Sequence, residues 1–218
     1  MIKKISLMGL ELDNYPYPEA VKIIEAFLND TAVSTVLTVN MEKLLAACED
    51  EVVKEVISSA DYTVVTDRAI LEAVSRGGSA RVSEVERGAF PTGLLNHFYR
   101  ADRTFYLAAS TQEQLEEMRA SLTGSFSYIR IVGGSVIPRD ASDYESCVNA
   151  INIKVPDVIL SSLDTPDEER FLKKCRSQLC AGIWYGVGKE PLDEKGLSPG
   201  RWLRRMKERI TFRSHLHN

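Results

Sequence analysis

Three kinds of group in this sequence could do chemistry together: a carboxylate, a set of neutral polar side chains and a run of cations. The carboxylate is Asp67, which follows Thr66 at the close of the apolar run Tyr62-Thr63-Val64-Val65. At such a place a carboxylate can cap the next helix, take a proton as a general base, or do both. Thr38 and Asn40 close an earlier β-branched run; Ser110, Ser161 to Asp164 and Gly186 to Lys189 close later ones. After Pro199 come Arg201, Arg204, Arg205, Lys207, Arg209 and Arg213, opposed by Glu208 alone. Forked arginine donors suit a diphosphate. Trp202, Leu203, Met206 and Ile210 fall on one face of a helix among those cations, which equally suits an anionic membrane surface. A terminal helix docked on the core with solvated charges is the third option.

The elements that must position these groups follow from hydrophobic periodicity. Ile5 to Leu12 reads as a strand or the first arm of a hairpin, and Pro18 opens a helix carrying Ala20, Ile23, Ile24 and Phe27. Val33–Val39 is a strand, then Met41–Ala47 and Val52–Ile57 are short helices, and the strand to Thr66 leads into a helix from Asp67 to Ser75. Arg76 to Ser79 is a loop, Arg81 to Ala89 is mixed, and Pro91 opens a helix with Leu94, Leu95 and Phe98. Strands are expected at Thr104–Ala108, Tyr128–Val132, Asp157–Leu160 and Gly182–Val187. Helices are expected at Gln112–Leu122, Tyr144–Ile151 and Pro166–Leu179. This alternation with short connections predicts an α/β three-layer domain with a largely parallel sheet. Parallel strands bring their closing residues to one edge, where ligands of such sheets gather. The loop from Lys189 to Gly200 separates a core domain, 1–188, from a linker and basic amphipathic C-terminal appendage, 189–218.

The 218 residues are enough for a substantial core, and 44% hydrophobic with 27% charged residues is ordinary for a globular chain. The net charge of −4 with a basic end argues for a local anionic partner and against general nucleic-acid binding. No apolar run is long enough to span a bilayer. Met1-Ile2-Lys3-Lys4 leads into Glu11 and Asp13 and reads as a first strand, not a signal peptide. Cys48, Cys147, Cys175 and Cys180 have no metal-ligand spacing and read as reduced structural thiols. His97, His215 and His217 make no zinc pattern, and there is no P-loop or nucleophile elbow. Gly186-Val187-Gly188 lacks the third glycine of a dinucleotide fingerprint. The helix hydrophobic on more than one side at Leu94, Leu95 and Phe98 leaves room for a homo-oligomer.

Six segments, in order, resemble the WecG/TagA/CpsF glycosyltransferases, glycosyltransferase family 26. Thr38-Val39-Asn40 resembles the family's Thr-x-Asn, and Ala60 to Asp67 its Ala-Asp-(apolar)-Pro-Asp segment. Arg81-Val82 falls at its Arg-Val, and Leu163-Asp164-Thr165-Pro166-Asp167-Glu168-Glu169-Arg170-Phe171 is similar to Leu-Gly-x-Pro-x-Gln-Glu-Lys-Trp. Tyr185 to Gly188 resembles the Gly-Val-Gly strand end, and Pro199 to Arg213 the closing Pro-x-Trp-Met-Arg-Arg helix.

The resemblance implies a three-layer Rossmann-like fold with a C-terminal basic helical appendage. It implies inverting transfer of N-acetylmannosamine or a related sugar from a UDP-sugar to a polyprenyl-diphosphate-linked acceptor, in cell-envelope polysaccharide synthesis. No cofactor and no divalent metal are expected. Asp67 is then the general base, Thr38 and Asn40 hold hydroxyls, and Arg81 faces the active site. Glu168, Gly186 and Gly188 lie on the substrate, and Arg204, Arg205 and Arg213 stabilise the departing UDP. The expected location is cytoplasmic, held peripherally on the inner face of the cell membrane by the basic tail.

The chain also departs from the family pattern. Asp67-Arg68 replaces Asp-Gly, which puts a long cation where the donor approaches. Leu107-Ala108-Ala109 replaces Leu-Gly-Gly, and Glu168 replaces a Gln, adding a carboxylate expected to repel a diphosphate. These departures sustain a second reading, a catalytically silent relative that binds a partner.

Overall fold

The computed structural model describes residues 3–74, 80–86 and 89–188. The chain opens with an antiparallel hairpin, β1 (Lys4–Leu7) and β2 (Leu10–Asp13). Helix α1 (Tyr17–Ala26) carries Pro18 in its first turn, where the missing N–H has no partner to lose. Then follow β3 (Ser34–Val39), α2 (Met41–Glu49), α3 (Glu51–Ser58), β4 (Tyr62–Val65) and α4 (Arg68–Val74). Helices α5 (Ala80–Glu86) and α6 (Ala89–Arg100) lead to β5 (Thr104–Ala109), α7 (Gln112–Ser125) and β6 (Arg130–Val136). The described chain ends with α8 (Tyr144–Asn152), β7 (Val158–Ser161), α9 (Asp167–Cys175) and β8 (Ile183–Gly186).

Six strands form one all-parallel sheet in the order β4-β3-β8-β7-β5-β6, flanked by helices in a Rossmann-like three-layer arrangement. The period of two along each strand divides its side chains between the faces. Val158 and Leu160 of β7, with Ile183 and Tyr185 of β8, pack on α1, α6 and α7. Ile159 and Trp184, the residues between them, pack on α3, α8 and α9. A third cluster joins the hairpin to α2, α3 and α4 around Leu10, Leu12, Val39, Leu44 and Val65. Leu94, Leu95 and Phe98 of α6 are all buried in the first cluster, so this helix gives no reason for a partner chain.

Aspartates pin the amino ends of the strands. Asp61 Oδ2 accepts from the backbone N–H and the hydroxyl of Thr35, at 2.6 and 3.0 Å. Asp157 Oδ2 accepts in the same way from Thr104, at 2.8 and 2.6 Å. On the outer strand β4, Asp13 and Thr63 bond reciprocally, Asp13 N–H to the Thr63 hydroxyl at 2.7 Å and Thr63 N–H to the Asp13 carboxylate at 3.0 Å. The last pairing satisfies the outer edge of β4, which lies buried against the hairpin.

Two elements differ from the sequence reading. The mixed stretch from Arg81 contains helix α5. Strand β6 runs on through Gly133 and Gly134, which pair with Tyr106 and Leu107 of β5, to Val136. The appendage, 189–218, lies outside the described residues.

Candidate functional site

The carboxyl ends of β4, β3, β8 and β7 lie side by side, and backbone hydrogen bonds tie them past the last strand residues. Thr66 N–H donates to Val39 C=O at 3.1 Å, and Val187 N–H donates to Ser161 C=O at 2.8 Å. Ser162 N–H reaches Ala108 C=O at 2.9 Å, and Asp164 N–H reaches the Ser110 hydroxyl at 3.3 Å. The closing residues Asn40, Asp67, Gly186 to Gly188, Ser161 to Asp164 and Ser110 therefore share one edge.

Asp67 and Asn40 both begin helices there. Asp67 Oδ1 accepts from Ala69 N–H at 3.0 Å, the cap of α4, and Asn40 Oδ1 accepts from Lys43 N–H at 2.9 Å, the cap of α2. Each cap commits one oxygen and leaves the side chain a second polar atom for chemistry. The guanidinium of Arg68 turns along its own helix, with Nε donating to Glu72 Oε1 at 2.5 Å, an i,i+4 ion pair.

Thr38 is buried, and its hydroxyl donates to Gly186 C=O at 2.9 Å, joining β3 to the end of β8. Gly188 has φ +61°, a backbone state that favours glycine. Thr66 Oγ1 is buried beside this row and has no hydrogen-bond partner among the described residues. Ala108 and Ala109, where the family pattern has glycines, are fully buried, their methyls facing the two cores.

Glu168 is not placed to touch a ligand. It is fully buried, Oε1 accepting from Trp184 Nε1 at 3.0 Å and Oε2 from Lys43 Nζ at 2.7 Å. Its carboxylate occupies the place a Cβ on Gly186 would need. The added carboxylate is thus neutralised from below and is not presented to a diphosphate. Lys43 also faces Glu169 at 2.8 Å, an ion pair without the angle of a directed hydrogen bond. Burial alone would lower the Lys43 pKa; the two carboxylates outweigh it and raise it above the ordinary lysine value. Burial pushes Glu169 up, Lys43 opposes this and Glu168 adds to it, so Glu169 holds its proton more tightly than a free glutamate.

Arg81 stands apart from this row. It is 2% exposed, its Nη1 donates to Glu84 Oε2 at 2.6 Å, and its guanidinium lies 5.3 Å from the centre of the Phe90 ring. Glu84 in turn accepts from Tyr17 N–H at 3.3 Å. These contacts tie α5 to α1 and α6, and among the described residues no hydrogen bond joins Arg81 to Thr38, Asn40 or Asp67. Arg204, Arg205 and Arg213 lie outside the described residues.

Lys43 and Trp184 are the residues that sequence reasoning missed. The available signal was spacing, since Lys43 shares the buried face of α2 with Met41, Leu44 and Ala47. A cleft of about 600 Å³ opens at the other end of the sheet, near the strand starts. The ion pair Lys173–Glu55, at 2.5 Å, and Arg176, paired to Asp61 at 2.7 Å, line its walls, and none of the closing residues does. Among the described residues there is no group of three or more His, Cys, Asp or Glu that could hold a metal, and no helix long and apolar enough to cross a membrane.

A six-stranded parallel sheet between helical layers, with a carboxylate, an amide and a glycine-bearing strand end on its carboxyl edge, defines a Rossmann-like α/β domain. The chain belongs to the glycosyl transferase WecG/TagA/CpsF family, whose model matches residues 5–190.

Proposed function

We propose that this glycosyltransferase moves N-acetylmannosamine or a related sugar from a UDP donor to a polyprenyl-diphosphate-linked sugar, inverting the anomeric centre, with Asp67 as general base. The acceptor hydroxyl attacks the anomeric carbon from the face opposite UDP. A bond forms from that oxygen to carbon, the bond to the β-phosphate oxygen breaks, and UDP leaves with the electron pair. Asp67 takes the hydroxyl proton as the new bond forms. The observation that carries this reading is the joining of β3 to β4 through Thr66 and Val39, which sets Asp67 beside Asn40.

The remaining roles follow from chemistry. The Asn40 amide, with its oxygen on the α2 cap, offers its N–H groups to a sugar hydroxyl. Gly188 allows backbone to come close to the donor, whereas the space left by the missing side chain of Gly186 is taken by Glu168. The charge growing on UDP calls for cations, and Arg204, Arg205 and Arg213 supply them from the basic tail. The same tail would hold the protein on an anionic membrane, where a polyprenyl acceptor resides.

Calorimetric titration with UDP, then a transfer assay on a polyprenyl-diphosphate-GlcNAc analogue, tests this. Binding of UDP and transfer that is lost in Asp67→Ala are expected. UDP binding with no transfer to any such acceptor would instead favour the silent relative. No UDP binding at millimolar ligand would refute the sugar-nucleotide reading.

A further inference from the structure

A group of buried charges lies directly beneath the strand ends, outside the chemistry proposed above. The Lys43 side chain is 5% exposed, and those of Glu168 and Glu169 are 0% exposed. One ammonium faces two carboxylates, and Trp184 Nε1 donates to the further oxygen of Glu168. Buried ion pairs are a poor way to stabilise a core, since apolar residues of equal volume do as well or better. The arrangement is better understood through what it holds in place.

Glu168 fills the space beside Gly186, whose carbonyl is held from the other side by the Thr38 hydroxyl. Lys43, which holds Glu168, gives its backbone N–H to Asn40 Oδ1. A single residue is therefore tied by its backbone to Asn40 and, through Glu168, to the end of β8. Segments following β3, β7 and β8 are fixed relative to one another by this link. Glu169 differs in geometry, having an ion contact with Lys43 and no place against Gly186.

We propose that Glu168, held by Lys43, is a positioning residue that sets the Gly186–Gly188 strand end against Asn40, and that Glu169 lacks this role. In its ligand arm the inference rests on the sugar-nucleotide reading; in its ligand-free arm it does not.

Two variants separate the roles, because Glu168→Ala and Glu169→Gln each leave Lys43 one carboxylate and a balanced charge. In the ligand-free protein, Glu168→Ala should speed amide hydrogen exchange at 186–188 by about tenfold or more, a local opening that leaves the fold standing. It should also shift the indole N–H resonance of Trp184. Glu169→Gln should leave exchange within about twofold of wild type, and Glu168→Gln, which keeps the shape and one acceptor, should restore it. In UDP calorimetry, Glu168→Ala should weaken binding about tenfold while Glu169→Gln binds as wild type does. Unchanged exchange in Glu168→Ala, or equal disturbance by Glu169→Gln, would overturn the inference whatever the ligand. Should the exchange pattern hold while wild type binds no UDP, the positioning role stands and the sugar-nucleotide reading fails.

Discussion

The backbone N–H of Thr66 donates to the carbonyl of Val39 at 3.1 Å, carrying the β3–β4 pairing one step beyond the last strand residues. The next residue on one side is Asn40 and on the other Asp67. Both start helices, and both are held by the N–H groups they cap. A base fixed in this way loses little freedom when a substrate arrives.

Gly186 is expected to tolerate no side chain. A Cβ there would lie 2.8 Å from Glu168 Oε2 and closer still to Oε1. Glu168 cannot withdraw, because Trp184 and Lys43 hold it. Gly186→Ala should cost about 1–3 kcal/mol, read as a lower midpoint in thermal denaturation. An unchanged midpoint would mean that the carboxylate yields.

Glu169 gives stability a pH dependence of definite sign. Burial raises its folded-state pKa above the value of 4.5 it has in an unfolded chain. Below that value both states are protonated and the group contributes nothing. As pH rises past it, the unfolded chain loses a proton that the folded chain keeps, so stability falls until the folded pKa is reached. Glu169→Gln should remove that fall. Urea denaturation from pH 4 to 8 should show the variant gaining on wild type as pH rises; parallel curves would contradict this.

Asp157 has the opposite sign. Burial would raise its pKa, but the hydroxyl and N–H of Thr104, with Arg103, outweigh it and hold the carboxyl below its ordinary range. Its contribution is present above the unfolded value and is lost as pH falls through the folded one. Asp157→Asn should lose about 1–2 kcal/mol at pH 7, with the difference shrinking at acid pH. Transfer per folded molecule should be unaffected, because this pin lies at the far end of the sheet. Denaturation at two pH values, with a transfer assay, checks both parts.

Much of the sheet was legible because β-branched runs such as Val33–Val39 and Tyr62–Val65 alternate with helical spacing. Asp67 was legible as a candidate because it closes such a run. The end of β6 was not, since Gly133-Gly134 reads as a break until Tyr106 and Leu107 supply a partner strand. Helix α5 was missed because so short an element, next to Gly88, carries little periodic signal. Depth was the hardest property to read. Glu168 read as a carboxylate added beside a diphosphate, yet it and Glu169 are buried on a lysine. Arg81 was legible as a cation near the site, but its pairing with Glu84 beside the Phe90 ring was not.

The most direct measurement compares Asp67→Asn with wild type, because asparagine caps a helix as well as aspartate does but cannot take the proton. The variant should keep its thermal midpoint and bind UDP within about threefold of wild type, while transfer falls about 100-fold or more. Transfer at the wild-type rate in Asp67→Asn would contradict the assignment of Asp67 as the base.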